Sequence, residues 1–349
     1  MTTINNLPKG FSYHGRKNQT ILPDFITICK MSQKKLKQYL VSAIKDYYTK
    51  DKIVVKDGYI FVEGNIPVML TAHMDTVHEK PIKDYYEWVE TQEEKYDVHV
   101  LSSPQGIGGD DRCGIWIILQ ILKKTELRPY IIFCEDEEIG CVGASKFCKN
   151  TRLLNKCESI KFIIELDRRG KHDLVFYDCD NLDFIQWCEE VTGWKENYGT
   201  CSDISYLAPE MGCSAVNLSC GYYDEHRLYH TVIVEEMFNT FSTAIKLIRE
   251  SETVDRFEYI ECKYNYPFSS FSDRRYFDYG YGSGYTASYT ASKEFCVEFV
   301  FLAYMEDGAE EELTVVEEGK SVDECFRRFF ENQPYACFND ILDYIVYEG

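Results

Sequence analysis

The chain has 349 residues, 45% of them hydrophobic and 15% aromatic, enough for one large domain with an appendage or for two domains. A net charge of -20 with no basic run longer than Lys-Lys excludes nucleic acid and anionic membrane surfaces as partners. Fifteen singly scattered cysteines, a polar start (MTTINNLPKG) and the absence of any apolar run of membrane-spanning length point to a soluble, cytoplasmic protein with free thiols.

Leu36, Leu40, Ala43 and Tyr47 recur at three- and four-residue steps and predict a helix from Ser32 to Tyr48. Two β-rich runs, Ile53 to Val55 and Tyr59 to Val62, flank Asp57-Gly58, a hairpin turn signal. Ile66 to Ala72 (IPVMLTA) then reads as a strand buried on both faces. It leads into His73-Met74-Asp75-Thr76. Residues two apart on an extended segment project to one side, so Asp75 can take one imidazole nitrogen of His73 and leave the other free. The charged stretch from Glu79 to Val98 reads as an exposed loop or a polar hairpin.

Ile107 to Gly114 (IGGDDRCG) places Asp110 and Asp111 in a glycine-rich bend before the apolar run Ile115 to Leu122, which predicts a buried helix ending near Lys123-Lys124. Gly-Gly-Asp-Asp is also ordinary turn chemistry. A second buried strand, Tyr130 to Cys134, ends in Glu135, Asp136, Glu137 and Glu138, followed by a small-residue turn at 139 to 144. A third, Phe162 to Leu166, ends at Asp167. The apolar stretch Cys213 to Cys220 leads into Gly221-Tyr222-Tyr223-Asp224-Glu225-His226, with His230 four positions on and a helix expected from Val232 to Ile248.

Strands alternating with helices predict an α/β fold: a three-layer sheet with helices on both faces, plus a small C-terminal α/β module. His73, Asp110, Glu137/Glu138, Asp167 and His226 each stand just beyond an apolar run. In open α/β sheets that is where sites form. Two histidines and three carboxylates, with one carboxylate to spare, make a donor set suited to zinc or a similar divalent ion.

HMDT at 73 to 76, GGDDRCG at 108 to 114, DEEIGCVGA at 136 to 144, ELD at 165 to 167 and GYYDEH at 221 to 226 resemble, in order, the metal-site motifs of the co-catalytic di-zinc exopeptidases. That superfamily includes peptidase T, the glutamate carboxypeptidases and the bacterial zinc aminopeptidases. The resemblance spans roughly residues 30 to 250. It implies two divalent metal ions, Zn2+ with Co2+ or Mn2+ as alternatives: His73 and Asp167 on one, Glu138 and His226 on the other, Asp110 bridging. It further implies Asp75 orienting His73, Glu137 as general base toward a metal-bridging water, and a cis peptide after Asp110. Arg168, Tyr222 and Tyr223 fall near the expected site as candidate substrate contacts.

Two features depart from the family. Asp167 and His226 are 59 positions apart, too few for the lid and dimerisation domain of the peptidase T type, so a single-domain zinc aminopeptidase is the better architectural match. Family members also often carry Glu four residues after the last histidine, where this chain has His230, which makes His230 the alternative to His226.

The expected organisation is a catalytic domain at 1–255, a Tyr/Ser/Gly-rich linker or arm at 256–292 and a small module at 293–349. In that module a strand pair at 295–304 and 312–317 precedes a helix at 322–330. The expected activity is exopeptidase cleavage of a peptide bond. An N-acyl amino acid deacylase, or a silent binding protein on the same scaffold, are the competing expectations. A homo-oligomer is compatible with each.

Overall fold

The computed structural model describes residues 12–13, 22–78, 80–92 and 96–262, and three strands at 295–304, 310–319 and 341–348. It divides into two compact units, Met1–Cys262 and Lys263–Gly349.

In chain order the first unit contains β1 (Ser12–Tyr13), α1 (Pro23–Cys29), α2 (Gln33–Ile44), β2 (Ile53–Lys56), β3 (Tyr59–Val62), β4 (Ile66–His73), β5 (Tyr86–Gln92), β6 (Tyr96–Ser102), α3 (Gly109–Lys124) and β7 (Pro129–Cys134). There follow α4 (Val142–Cys148), α5 (Thr151–Leu154), β8 (Phe162–Arg168), β9 (Asp173–Val175), α6 (Leu182–Thr192), β10 (Lys195–Asn197), α7 (Ile204–Met211), β11 (Ala215–Ser219), β12 (Tyr222–Tyr223), β13 (Thr231–Ile233) and α8 (Val234–Glu250).

Eight strands form the main sheet in the order β10-β9-β11-β8-β4-β7-β3-β2. Its centre, β11-β8-β4-β7, is parallel, and the hairpin β2–β3 closes one edge antiparallel. The central strands are apolar at almost every position because both faces are covered. Successive side chains go to opposite layers: Val68, Leu70 and Ala72 join a core built with α1, α2, α3, α6 and α8, while Met69 joins a second core with α4, α5 and α7. The same alternation splits Ile131 and Phe133 from Ile132, and Phe162 and Ile164 from Ile163. The α/β expectation, with helices on both faces, is met.

The charged stretch after His73 forms a hairpin, β5–β6, whose turn lies outside the described residues. It belongs to a second, five-stranded sheet, β1-β5-β6-β13-β12, in which β13 pairs antiparallel with both β6 and β12.

Residues 256–262 pack on the first unit, beyond the expected boundary at 255. Glu258 and Glu261 form bridges with Cys213 and Cys179. The Phe257 ring lies 5.0 Å from that of Phe184. In the second unit, β14 (Phe295–Tyr304) runs between β15 (Glu310–Gly319) and β16 (Ile341–Glu348), antiparallel to both. The rest of the expected linker and the expected helix at 322–330 lie outside the described residues.

Phe184 is fully buried among Phe162, Phe176, Trp187 and Phe257, whereas Leu182 on the same helix is 70% exposed. Phe184→Ala is expected to destabilise the protein by about 3–5 kcal/mol in chemical denaturation. Leu182→Ala should stay within about 0.5 kcal/mol.

Candidate metal centre

The carboxyl ends of β4, β7, β8 and β11 point to one edge of the sheet, and the predicted polar residues gather there. His73 ends β4 and is 1% exposed. Its Nδ1 lies 3.2 Å from Asp75 Oδ1, and its Nε2 lies 2.8 Å from Asp110 Oδ1 and 3.5 Å from Asp167 Oδ1. Asp75 also accepts the backbone N–H groups of Glu137 and Glu138, both at 3.0 Å. One carboxylate therefore sets the imidazole and the loop after β7 together.

Asp110 enters at the start of α3, where backbone angles depart from helical values at Asp110 and Asp111 and the peptide between them is cis. Glycine is required around it. A Cβ at Gly109 would stand 2.8 Å from His230 Nε2 and from the Tyr222 side chain, and one at Gly114 would stand 2.0 Å from the Leu166 carbonyl. The two Asp110 oxygens face different partners, Oδ1 toward His73 and Oδ2 toward His226 Nε2 at 3.3 Å. His226 Nε2 is also 3.0 Å from Glu138 Oε2.

The four acids after β7 divide in two. Glu135 pairs with Lys37 and accepts from the Gly58 amide, and Asp136 accepts from Gln33 Nε2 at 2.8 Å, so both serve the packing of α2. Glu137 and Glu138 face the cluster. Glu137 Oε2 is 4.0 Å from His73 Nε2, and its Oε1 accepts from Cys141 Sγ at 3.5 Å. Asp167 is held by Tyr222 Oη at 3.2 Å and Ser202 Oγ at 3.1 Å, while Asn217 bonds its main chain on both sides.

Of the candidate substrate contacts, Tyr222 reaches the cluster. Arg168 Nε is 3.4 Å from Asp173, and Tyr223 Oη donates to Glu236 at 2.7 Å. His230 is 1% exposed, its ring 5.5 Å from that of Tyr222 and tilted 52° to it, with no hydrogen-bond partner at either ring nitrogen. Residues absent from the sequence-based set also converge here. Asp111 is fully buried and accepts from the amides of His73 and Gly114. Ser202 and Asn217 come from segments with no motif of their own.

Among the described residues, non-glycine positive φ occurs at Asp136, Cys141, Tyr177, Asp224 and His226, and four of these lie in the loops that bring Glu137, Glu138 and His226 to the site. Such strain is characteristic of functional loops.

Burial, with the negative charges of Asp167, Asp203 and Asp110, pushes Glu137 up to about 9, although His73 opposes it. Burial beside Asp110 pushes Asp167 up to about 7. Burial also opposes ionisation of Asp110, but hydrogen bonds from His226 and His73 outweigh it and hold this carboxyl below its ordinary range. Those with Asp110 and Glu138 push His226 up to about 10. Burial pushes His230 down to about 4, so this imidazole is neutral at pH 7.

The cluster sets four carboxyl groups, Asp110, Glu137, Glu138 and Asp167, against two imidazoles, and Glu138 Oε1 is buried without a hydrogen-bond partner. His73 with Asp110 and Glu138, and His73 with Asp111 and Asp167, each bring ligand atoms within 4.8 Å of one another. Imidazole with carboxylate at that spacing fits a divalent cation.

A solved structure shares this architecture. Aminopeptidase PepT from Bacillus cereus superimposes with a TM-score of 0.50 at 15% identity, over 66% of this chain and 97% of that one. The chain shares the fold of that solved structure. A tripeptidase from Staphylococcus aureus aligns with a TM-score of 0.49 at 13% identity, over 67% of this chain and 98% of its own. No protein-family model and no curated protein matches the sequence. No helix among the described residues is long and apolar enough to cross a membrane.

Asp75→Ala removes the acceptor of two backbone amides and of an imidazole in a buried site. The metal-free variant should lose about 1–3 kcal/mol of stability, read as a shift of its denaturation midpoint at unchanged slope.

Proposed function

We propose that the chain is a two-metal hydrolase that cleaves a peptide bond, acting as an exopeptidase of the aminopeptidase type. The observation that carries this reading is Asp110 standing between two imidazoles, with Glu137 and Glu138 alongside. On this reading His73 and Asp167 would hold one divalent ion and Glu138 and His226 the other, with Asp110 placed to serve both. Zinc suits these nitrogen and oxygen donors, and cobalt and manganese are the alternatives. Bound there, the ions would supply Lewis acidity toward the scissile carbonyl and toward water.

The chain's own groups do the rest. Asp75 fixes the His73 ring so that Nε2 faces the cluster. Glu137, whose Oε2 faces the cluster 4.0 Å from His73 Nε2, would as a carboxylate take a proton from the attacking water and return it to the leaving amine. The Cys141 thiol holds one Glu137 oxygen, leaving the other toward the reacting atoms. Tyr222, anchored on Asp167, is the one of the three candidate substrate contacts that reaches the cluster. Arg168 and Tyr223 are engaged by their own carboxylates and are assigned no substrate contact.

His230 is the second reading for the last ligand, on the observation that its buried ring nitrogens lack partners. Elemental analysis separates the two. Close to two divalent ions per chain are expected, with at least one lost in Asp110→Ala and in His226→Ala. Full occupancy in His226→Ala with loss in His230→Ala would transfer the role to His230. Glu137→Ala should keep its metal and lose about 10^2–10^4-fold in turnover.

A substrate screen tests the reaction class. Aminoacyl amides and short peptides with a free amino terminus should be cleaved in preference to N-acyl amino acids. The reverse order would assign a deacylase, and no turnover of either by metal-loaded protein would leave a binding scaffold.

A further inference from the structure

Of the five non-glycine residues with positive φ among the described residues, Tyr177 is the one outside the loops that carry Glu137, Glu138 and His226. It stands two positions beyond β9 with φ 52°, a conformation that a side chain as bulky as tyrosine keeps only where its surroundings hold it. The loop before α7 packs on its ring, and a Cβ at Gly199 would stand 2.9 Å from Tyr177 Cε1. That loop carries Ser202. The Tyr177 hydroxyl bonds both Ser202 and Asn217, the two residues that hold Asp167 from behind.

Donor and acceptor roles in this group follow by elimination. Asn217 meets both main-chain groups of Asp167. The Asp167 N–H can only donate, so the side-chain atom 2.9 Å from it is Oδ1, and the Asp167 carbonyl can only accept, so the atom 3.0 Å from it is Nδ2. The second Nδ2 proton goes to Tyr177 Oη at 2.8 Å. A hydroxyl that accepts from an amide still has its own proton to give, and Ser202 is its second partner. With that proton on Ser202 Oγ, the serine proton is free for a carboxylate. Asp167 Oδ2 lies 3.1 Å away, and Glu165 is the competing acceptor. Asp167 Oδ1 faces the other way, toward Tyr222 Oη at 3.2 Å and His73 Nε2 at 3.5 Å.

We propose that Tyr177 is a positioning residue of the metal centre, closing a hydrogen-bonded relay from Asn217 through Tyr177 and Ser202 to Asp167. The relay ties down Oδ2 of the Asp167 carboxylate and leaves Oδ1 turned toward His73. Tyr177 touches no ligand itself and acts through Ser202. Its left-handed backbone places the hydroxyl between a strand residue, Asn217, and a loop residue, Ser202, and so locks the loop to the sheet. The inference rests on the proposed role of Asp167 as a ligand. Groups that orient a metal ligand in this way tune the affinity of the ion it holds.

The test is titration of the metal-free, full-length chain with Co2+, read by the visible absorption of the bound ion. Tyr177→Phe keeps the ring and removes only the hydroxyl, and one Co2+ uptake step should weaken by about tenfold or more. Ser202→Ala should show the same loss. The double variant should lose no more than either single one, because both interrupt one relay. Tyr59→Phe, at a buried tyrosine bonded to Asn150, should take up Co2+ as the wild type does. Wild-type affinity in Tyr177→Phe overturns the inference. So do additive losses in the double variant, which would route the effect of Tyr177 around Ser202. A Tyr177→Phe chain that fails to fold with or without Co2+ would assign the hydroxyl to the fold, and overturns it too. Wild-type protein that takes up no Co2+ would refute the metal centre and the relay with it. Weakened uptake in Tyr177→Phe, where the wild type binds Co2+ but cleaves no peptide, would refute the peptidase reading and keep the relay. Peptide turnover by a wild type whose Co2+ uptake Tyr177→Phe leaves unaltered would refute the relay alone.

Discussion

Carboxylates crowd the carboxyl edge of the main sheet beyond what two imidazoles can neutralise, and the neighbouring elements are arranged around that excess. Asp75 and Asp111 are spent on backbone amides, fixing the loop after β7, the end of β4 and the first turn of α3. Asp110, Glu137, Glu138 and Asp167 remain, with His73 and His226 among them. Buried like charges at this spacing persist only if protons or cations compensate them. The raised carboxyls of Glu137 and Asp167 are the proton solution. A pair of divalent ions is the alternative. The parallel order β11-β8-β4-β7 imposes the crowding, because it brings the ends of strands distant in sequence to one line.

Much of this was legible before any coordinates. Central strands announce themselves as short apolar runs, and the polar residue that ends each run marks the sheet edge. That logic reaches His73, Glu137, Glu138 and Asp167, and the two-residue spacing of His73 and Asp75 foretells their contact. Other partners carry no such mark. Ser202 and Asn217 reach Asp167 from a loop before α7 and from within β11, where a serine and an asparagine look like any turn or strand residue. Asp111 reads as a turn residue until the fold closes over it. The charged hairpin β5–β6 was ambiguous because polar residues fall on both faces of β5, Glu87 and Thr91 on one and Glu90 on the other, which weakens the alternation that identifies a strand. Residues 256–262 read as the start of a linker by composition, yet Phe257 completes the aromatic core around Phe184, a contact between distant residues that no local pattern encodes.

The two halves of the proposed centre differ in how they are built. His73 and Asp167 belong to β4 and β8, His73 buried and Asp167 partly so, and their positions follow from the packing of the sheet itself. Glu138 and His226 ride on loops with left-handed residues on or beside them, and the His226 side chain is 54% exposed. The His226 loop is tied at one side by the ion pair of Arg169 with Glu225, at 2.8 Å, and at its far end by β13 pairing with β6. On the proposed ligand assignment, one ion would be held by residues fixed at strand ends and the other by residues carried on two loops. An exposed imidazole on a strained loop pays more ordering entropy on binding than one locked at a strand end. On that assignment the loop-built half would be the weaker of the two, and it is the half where His226 and His230, four residues apart, are alternatives for one role.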